Sequence, residues 1–235
     1  AHDGRIKVFY PPLGLHPSII PGIITILLLL TAGTIIFANS KSILGLNGNR
    51  ADISDLNLTY DDRSDLLEKD LSSSVYTYIL TKSQVEQSFS KAQTEFQRFN
   101  DNAAQLEINR ILNSNAAVSV KQKARELMTY LAEPSFDSIK NSFSYTDVSK
   151  EPVLYTDCWV LWSGRVSNIT VTDTITRCSL LIGYEDMKNI EGIVPLQLPS
   201  SILIDPEKPV SVLAKIIFPD GKLALQGKSV YQSVK

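Results

Sequence analysis

Two cysteines, two tryptophans and a scatter of carboxylates are the residues of this 235-residue chain that could do chemistry. Both histidines, His2 and His16, precede an uncharged apolar run at residues 19–38, and no imidazole follows it. That removes His-based nucleophiles, His general bases and the usual zinc ligands from the rest of the chain. Cys158 and Cys178 therefore have no histidine to activate them, and neither is expected to be catalytic. Two readings of the pair stand side by side: a disulfide between neighbouring strands of an exported domain, or two buried free thiols. Glu185, Asp186 and Glu191 flank one loop, but their spacing matches no acid–base pair or calcium loop and reads as a solvated, turn-forming run. No catalytic residue, metal ligand or cofactor is expected, and the chain is read as a non-enzyme. What remains is Trp159, Trp162, Arg165 and Tyr184, an aromatic and cationic group of the kind small barrels present to sugars or single strands. The plainer alternative is that these side chains fill the barrel. "NLT" at 57–59 and "NIT" at 168–170 match the glycosylation acceptor pattern, which arises often by chance.

The elements that must position these residues show a change of period along the chain. From Val153 the pattern alternates, with Leu154, Cys158, Val160, Trp162, Gly164 and Val166 on one face of a strand and Trp159, Leu161 and Arg165 on the other. A second strand carries Thr174, Thr176, Cys178, Leu180 and Ile182; "GIVPL" at 192–196 is a short one with an edge-type proline. "PVSVLAKIIF" and "KLALQGKSVYQ" flank "PDG" at 219–221, a hairpin turn with Gly221 free to take positive φ. Five strands over residues 153–235 predict a small closed barrel, since an open sheet would leave two bare edges. The arrangement is OB-like, with an SH3-like barrel or small sandwich as alternatives.

Upstream, residues 63–145 read as helical. Leu67, Leu71, Val75 and Ile79 recur at four-residue spacing. Ser83 with Glu86 offers a capping box for a helix burying Val85, Phe89, Ala92, Phe96 and Phe99. "NDN" at 100–102 divides it from a helix with Ala104, Ile108, Ile111 and Leu112 on one face, and Ser119 with Gln122 opens another that runs to Pro134. A shift of 35 residues maps Val85, Phe89, Ala92 and Phe96 onto Val120, Ala124, Leu127 and Leu131. That is close to the period of tetratricopeptide helix pairs, with "SFDSIKNSF" as the last helix; an ordinary small bundle is the alternative. So few repeats cannot bury a solenoid core alone, so these helices are expected to need another domain or a partner.

The run at 19–38 is long enough to span a bilayer as a helix and longer than a secretory signal core, so it is read as a retained transmembrane anchor. Residues 1–18 then form a short cytoplasmic arm and 39–62 a Gly-, Asn- and Ser-bearing linker. Arg5 and Lys7 on the arm favour N-in, C-out, which puts the larger part in the periplasm as a single-pass inner-membrane protein. With 23 basic and 25 acidic residues spread evenly, the chain lacks the concentrated positive field that nucleic acid requires.

"ARELMTYLAEPSF", "EPVLYTDCWVLWSGRVSN" and "SLLIGYEDMKNIEGIVPL" carry a resemblance over residues 83–232. They resemble the membrane-anchored periplasmic tetratricopeptide-like proteins of spirochaetes, some of which build the collar of the flagellar motor. The resemblance implies an oligomeric scaffold subunit whose partners are the bilayer and other envelope or motor proteins, with no catalytic residue to carry over. The alternative function is an envelope module that recognises cell-wall glycan through Trp159 and Trp162.

Overall fold

A computed structural model describes residues 50–69, 75–199 and 202–233. The arm at 1–18, the apolar run at 19–38 and the linker's first part at 39–49 lie outside these residues. Among the described residues no helix is long and apolar enough to cross a membrane.

Residues 50–62, read as the end of a linker, instead pack as part of the fold. Ile53, Leu56 and Leu58 are buried in one cluster with Val85, Phe89, Val120 and Ala124. A short helix α1 (Tyr60–Ser64) follows, closed by a capping box between Thr59 and Asp62. The helix expected through Leu67, Leu71, Val75 and Ile79 does not form in the described part of that stretch. Leu67 makes an isolated bridge to Ala116 and Tyr78 one to Ser114, while Val75 and Ile79 lie exposed. Pairing with the 113–116 stretch satisfies the backbone there, and Leu66 covers the neighbouring apolar surface. Residues 50–69 thus act as a strap that closes the helical core, a job expected of another domain or a partner.

Three helices follow: α2 (Lys82–Gln97), α3 (Asp101–Leu112) and α4 (Val118–Thr129). The capping box of α2 is Thr81 with Gln84, not Ser83 with Glu86. Both pairs have the right spacing, and the earlier one starts the helix two residues sooner, adding hydrogen bonds to an already nucleated turn. α4 begins after Ala117 with no side-chain cap, so Ser119 and Gln122 do not form the second box. The 35-residue shift holds in burial, since Val85, Phe89 and Ala92 and their counterparts Val120, Ala124 and Leu127 are all buried. The repeat stops there. "SFDSIKNSF" forms only a turn, leaving three successive helices instead of two complete pairs.

The C-terminal part is a closed barrel of β1 (Trp159–Val171), β2 (Ile175–Ile182), β3 (Gly192–Pro199), β4 (Val210–Ile217) and β5 (Ala224–Tyr231), in the order β1-β2-β3-β5-β4. This is the OB-like solution, with β3 and β5 parallel and every other pair antiparallel. β1 serves two neighbours in turn, pairing with β4 from Trp159 to Gly164 and with β2 from Gly164 onward. Gly164 stands at the changeover, where a Cβ would lie 1.9 Å from the Leu181 carbonyl oxygen. Further on, Asn168 takes positive φ at a bulge that bends the strand. Helix α5 (Tyr145–Lys150) packs on the barrel, burying Val148 and laying the Tyr145 ring over Gly192 and edge-on to Trp162, 5.8 Å away. Asp220 and Gly221 both take positive φ in the β4–β5 turn.

Candidate interaction surfaces

The joint between helices and barrel is the best-built polar site in the described residues. From Trp159 to Ser163, β1 has β4 on one edge and no strand on the other. An unpaired edge of this kind invites another chain. Here it is filled by two side chains and one backbone amide. The Trp159 N–H donates to Asn102 Oδ1 at 2.7 Å, and Asn102 Nδ2 donates to the Trp159 carbonyl at 2.8 Å. Two residues on, the Leu161 N–H donates to Ser142 Oγ at 2.8 Å, and the Gly183 N–H donates to the Ser163 carbonyl at 3.0 Å. Asn109 Nδ2 reaches the Leu154 and Thr156 carbonyls at 2.9 and 2.6 Å, while Gln105 Nε2 donates to Asn109 Oδ1 at 2.9 Å.

Asn102, Gln105 and Asn109 are buried and share one face of α3 by their three- and four-residue spacing. Ala104, Ile108 and Ile111 on the same helix belong to the helical core. The helix is therefore buried on an apolar and a polar side. Sequence reasoning found the first and missed the second, whose signal was a run of amides at helical spacing.

The four residues expected to form one binding surface are distributed over three environments. Trp162 is core: it packs inside the barrel, and its Nε1 donates to the Phe143 carbonyl at 2.8 Å. Trp159 points the other way, as strand alternation requires, but it is only 9% exposed. The Lys215 and Lys228 ammonium groups lie 5.1 and 5.3 Å from its ring centroid. Both lysines pair with Glu133, at 3.7 and 3.0 Å. The bond from Lys228 leads in holding the Glu133 carboxyl below its ordinary range, against the opposing effect of burial. An open cleft of about 350 Å³ beside this cluster is lined by Asp101, Gln105, Met128, Glu133, Trp159 and Lys215. Arg165 and Tyr184 sit at the β2–β3 loop, where Arg165 donates to the carbonyls of Glu185 and Glu207 at 3.3 and 2.7 Å. The glycan reading thus loses its paired tryptophans, since one fills the core and the other is covered by lysines.

Cys158 and Cys178 are free and buried. Of the two readings of the pair, the structure has the buried thiols and not the bridge: Cys158 precedes β1 at its β4-paired end, whereas β2 around Cys178 faces the β1 bulge. Burial raises both thiols, Cys178 to about 11.

The face that OB barrels commonly use for oligomeric ligands, the outer side of β2 and β3, is plain here. Ile175, Arg177, Ser179 and Leu181 alternate outward on β2, and Ile193, Pro195, Gln197 and Pro199 on β3. No aromatic ring stands among these eight positions for a base or sugar to stack on. Among the described residues no cluster of His, Cys, Asp and Glu could hold a metal ion.

Comparison with known proteins divides the chain between α4 and α5. Residues 137–231 match a family model described as the Spirochaete C-terminal OB fold. Residues 65–128, covering the helices from the strap to α4, match one described as a domain of unknown function, DUF8514. No curated protein matches the chain. The first match agrees with the closed five-stranded barrel and supports a spirochaete source.

Proposed function

We propose that this chain is a non-enzymatic scaffold subunit of the spirochaete envelope, anchored in the inner membrane by residues 19–38 and acting in the periplasm through protein–protein contacts. The observation that carries the reading is the joint. A scaffold must transmit position, and here helices and barrel are locked by paired side-chain and backbone hydrogen bonds from Asn102, Asn109 and Ser142 to β1 and its approach. The Asn102 and Asn109 part of this network is buried, and polar pairing of that kind fixes one relative placement of the two parts. The similarity of the C-terminal part to a spirochaete OB fold supports the organismal setting. Assembly into an oligomer, and membership of the flagellar motor collar, are the specific form of the proposal, and they rest on the resemblance in residues 83–232.

The test is crosslinking in intact cells with a lysine-reactive reagent, followed by mass spectrometry of everything joined to residues 50–235. Reproducible links to itself and to a few envelope or motor proteins are the expected result. Co-purifying glycan without protein links would move the function to the barrel. Labelling of residues 1–18 by a reagent confined to the outside of the cell would reverse the orientation.

A further inference from the structure

The barrel carries a second feature that the joint does not use. The β2–β3 loop presents Met187, 55% exposed, with Ile190 and Ile193 also exposed beside it in the chain. Tyr231, exposed on β5, lines one cleft together with Glu185 of that loop.

Met187 has φ +61°, a left-handed conformation that a large side chain rarely adopts. The surrounding bonds hold it there. Its N–H donates to the Tyr184 carbonyl at 3.3 Å, the Lys188 N–H to Asp186 Oδ1 at 3.2 Å and the Glu191 N–H to the Ile182 carbonyl at 2.8 Å. Arg165 ties this loop to the one before β4 through the Glu185 and Glu207 carbonyls. Exposed apolar side chains on a loop ordered in advance lose little entropy on binding.

Charge selects the occupant. The two loops carry Glu185, Asp186, Glu191, Asp205 and Glu207 against Lys188 and Lys208, which pair with Asp186 and Asp205, and Arg165 of β1 brings the net to two negative charges. An anionic lipid surface or nucleic acid is repelled by that field. A symmetric contact with a second copy would set acid against acid.

We propose that this acidic, apolar end of the barrel, centred on Met187, docks a different protein through an apolar socket rimmed by lysine or arginine. The proposal rests on the scaffold reading and names where one partner attaches. Arg165 is a positioning residue in it, acting through the loops it joins.

A photo-crosslinking amino acid placed at position 187 of the full chain in cells tests it, with position 153, another exposed site, as control. The expected result is one protein partner linked from 187 and not from 153, with the linked peptide lying in a basic, apolar surface. The double reversal Asp186→Lys with Glu191→Lys is expected to cut the yield about tenfold. Its melting temperature is checked alongside. If that variant does not fold, the native chain's yield against ionic strength in permeabilised cells decides instead, and it should fall as salt rises. Links only to a second copy, to lipid or to nothing overturn the proposal, as does a yield indifferent to charge reversal and salt. Lysine-reactive links elsewhere on the chain with none from 187 would sink this inference alone. Absence of any protein link would sink the scaffold reading with it.

Discussion

Asn102 shows how much of the joint hangs on one side chain, because its amide pairs both backbone groups of Trp159. In Asn102→Ala those two groups are left without this partner, and a loss of about 2–4 kcal/mol is expected in urea unfolding, from roughly 1–2 kcal/mol per orphaned group. A loss below the scatter of the measurement would mean that water replaces the amide and that the joint is softer than its geometry indicates. Trp162 gives the complementary test. As a barrel-core residue its truncation to Ala should cost about 3–5 kcal/mol. A surface tryptophan would tolerate the change. Burial keeps Cys158 and Cys178 protonated, so neither should react with a thiol reagent in the folded chain, and both should react after denaturation. Reaction of only one in denaturant without reductant would point to a covalent partner elsewhere.

Among the elements, the strap is pinned by two carboxylates. At Asp62 burial works to raise the carboxyl, but Lys123 at 2.8 Å, Thr59 and Ser119 outweigh it and hold it well below the ordinary range. Glu68 is lowered mainly by the Tyr76 hydroxyl and then by Lys121. Both folded-state values lie below the unfolded ones. Their stabilisation is therefore complete above about pH 4, the ordinary carboxylate range, and is lost as pH falls through the folded values. Asp101 works the other way. Burial raises its carboxyl despite Arg50, so protonating it partly offsets the loss. Proteolysis of residues 50–69 should accelerate below about pH 4, and Asp62→Asn with Glu68→Gln should start faster and depend less on pH. An unchanged cleavage rate from pH 7 to pH 3 would show that Ile53, Leu56, Leu58 and Leu66 hold the strap without help.

For the molecule as a whole, the joint predicts that the barrel from residue 153 onward is not self-sufficient. Residues 153–235 alone retain all five strands but lose Asn102 and Ser142 from the free edge of β1, and α5 from its place over Gly192. That fragment is expected to self-associate or precipitate, as exposed edges do, whereas residues 50–235 should not do so through that edge. Sedimentation of the two fragments compares them directly. A monomeric, soluble 153–235 fragment would mean that β1 can close its edge without the helices. Partner contacts made by the whole chain then fall to surfaces that the joint leaves open, the acidic end of the barrel among them.

Strand alternation from Cys158 to Val166 was legible because a barrel wall has two sides, and burial divides them as a period of two demands. So were the apolar faces of α2, α3 and α4, whose spacing is a property of the helix itself. These are local regularities, and a single sequence contains them in full. The strap was not legible. Ile53, Leu56 and Leu58 have no period, and only the groove between helices gives them a place. Nor was the fate of Trp159: alternation puts it outside the barrel, and only tertiary structure brings Lys215, Lys228 and Glu133 over it. The same holds for Asn102, more than fifty residues from the strand it completes. Periodicity tells which face of an element is apolar, and it is written in the order of residues along the chain. What lies against that face is set by contacts between distant parts of the chain, which only the folded structure decided.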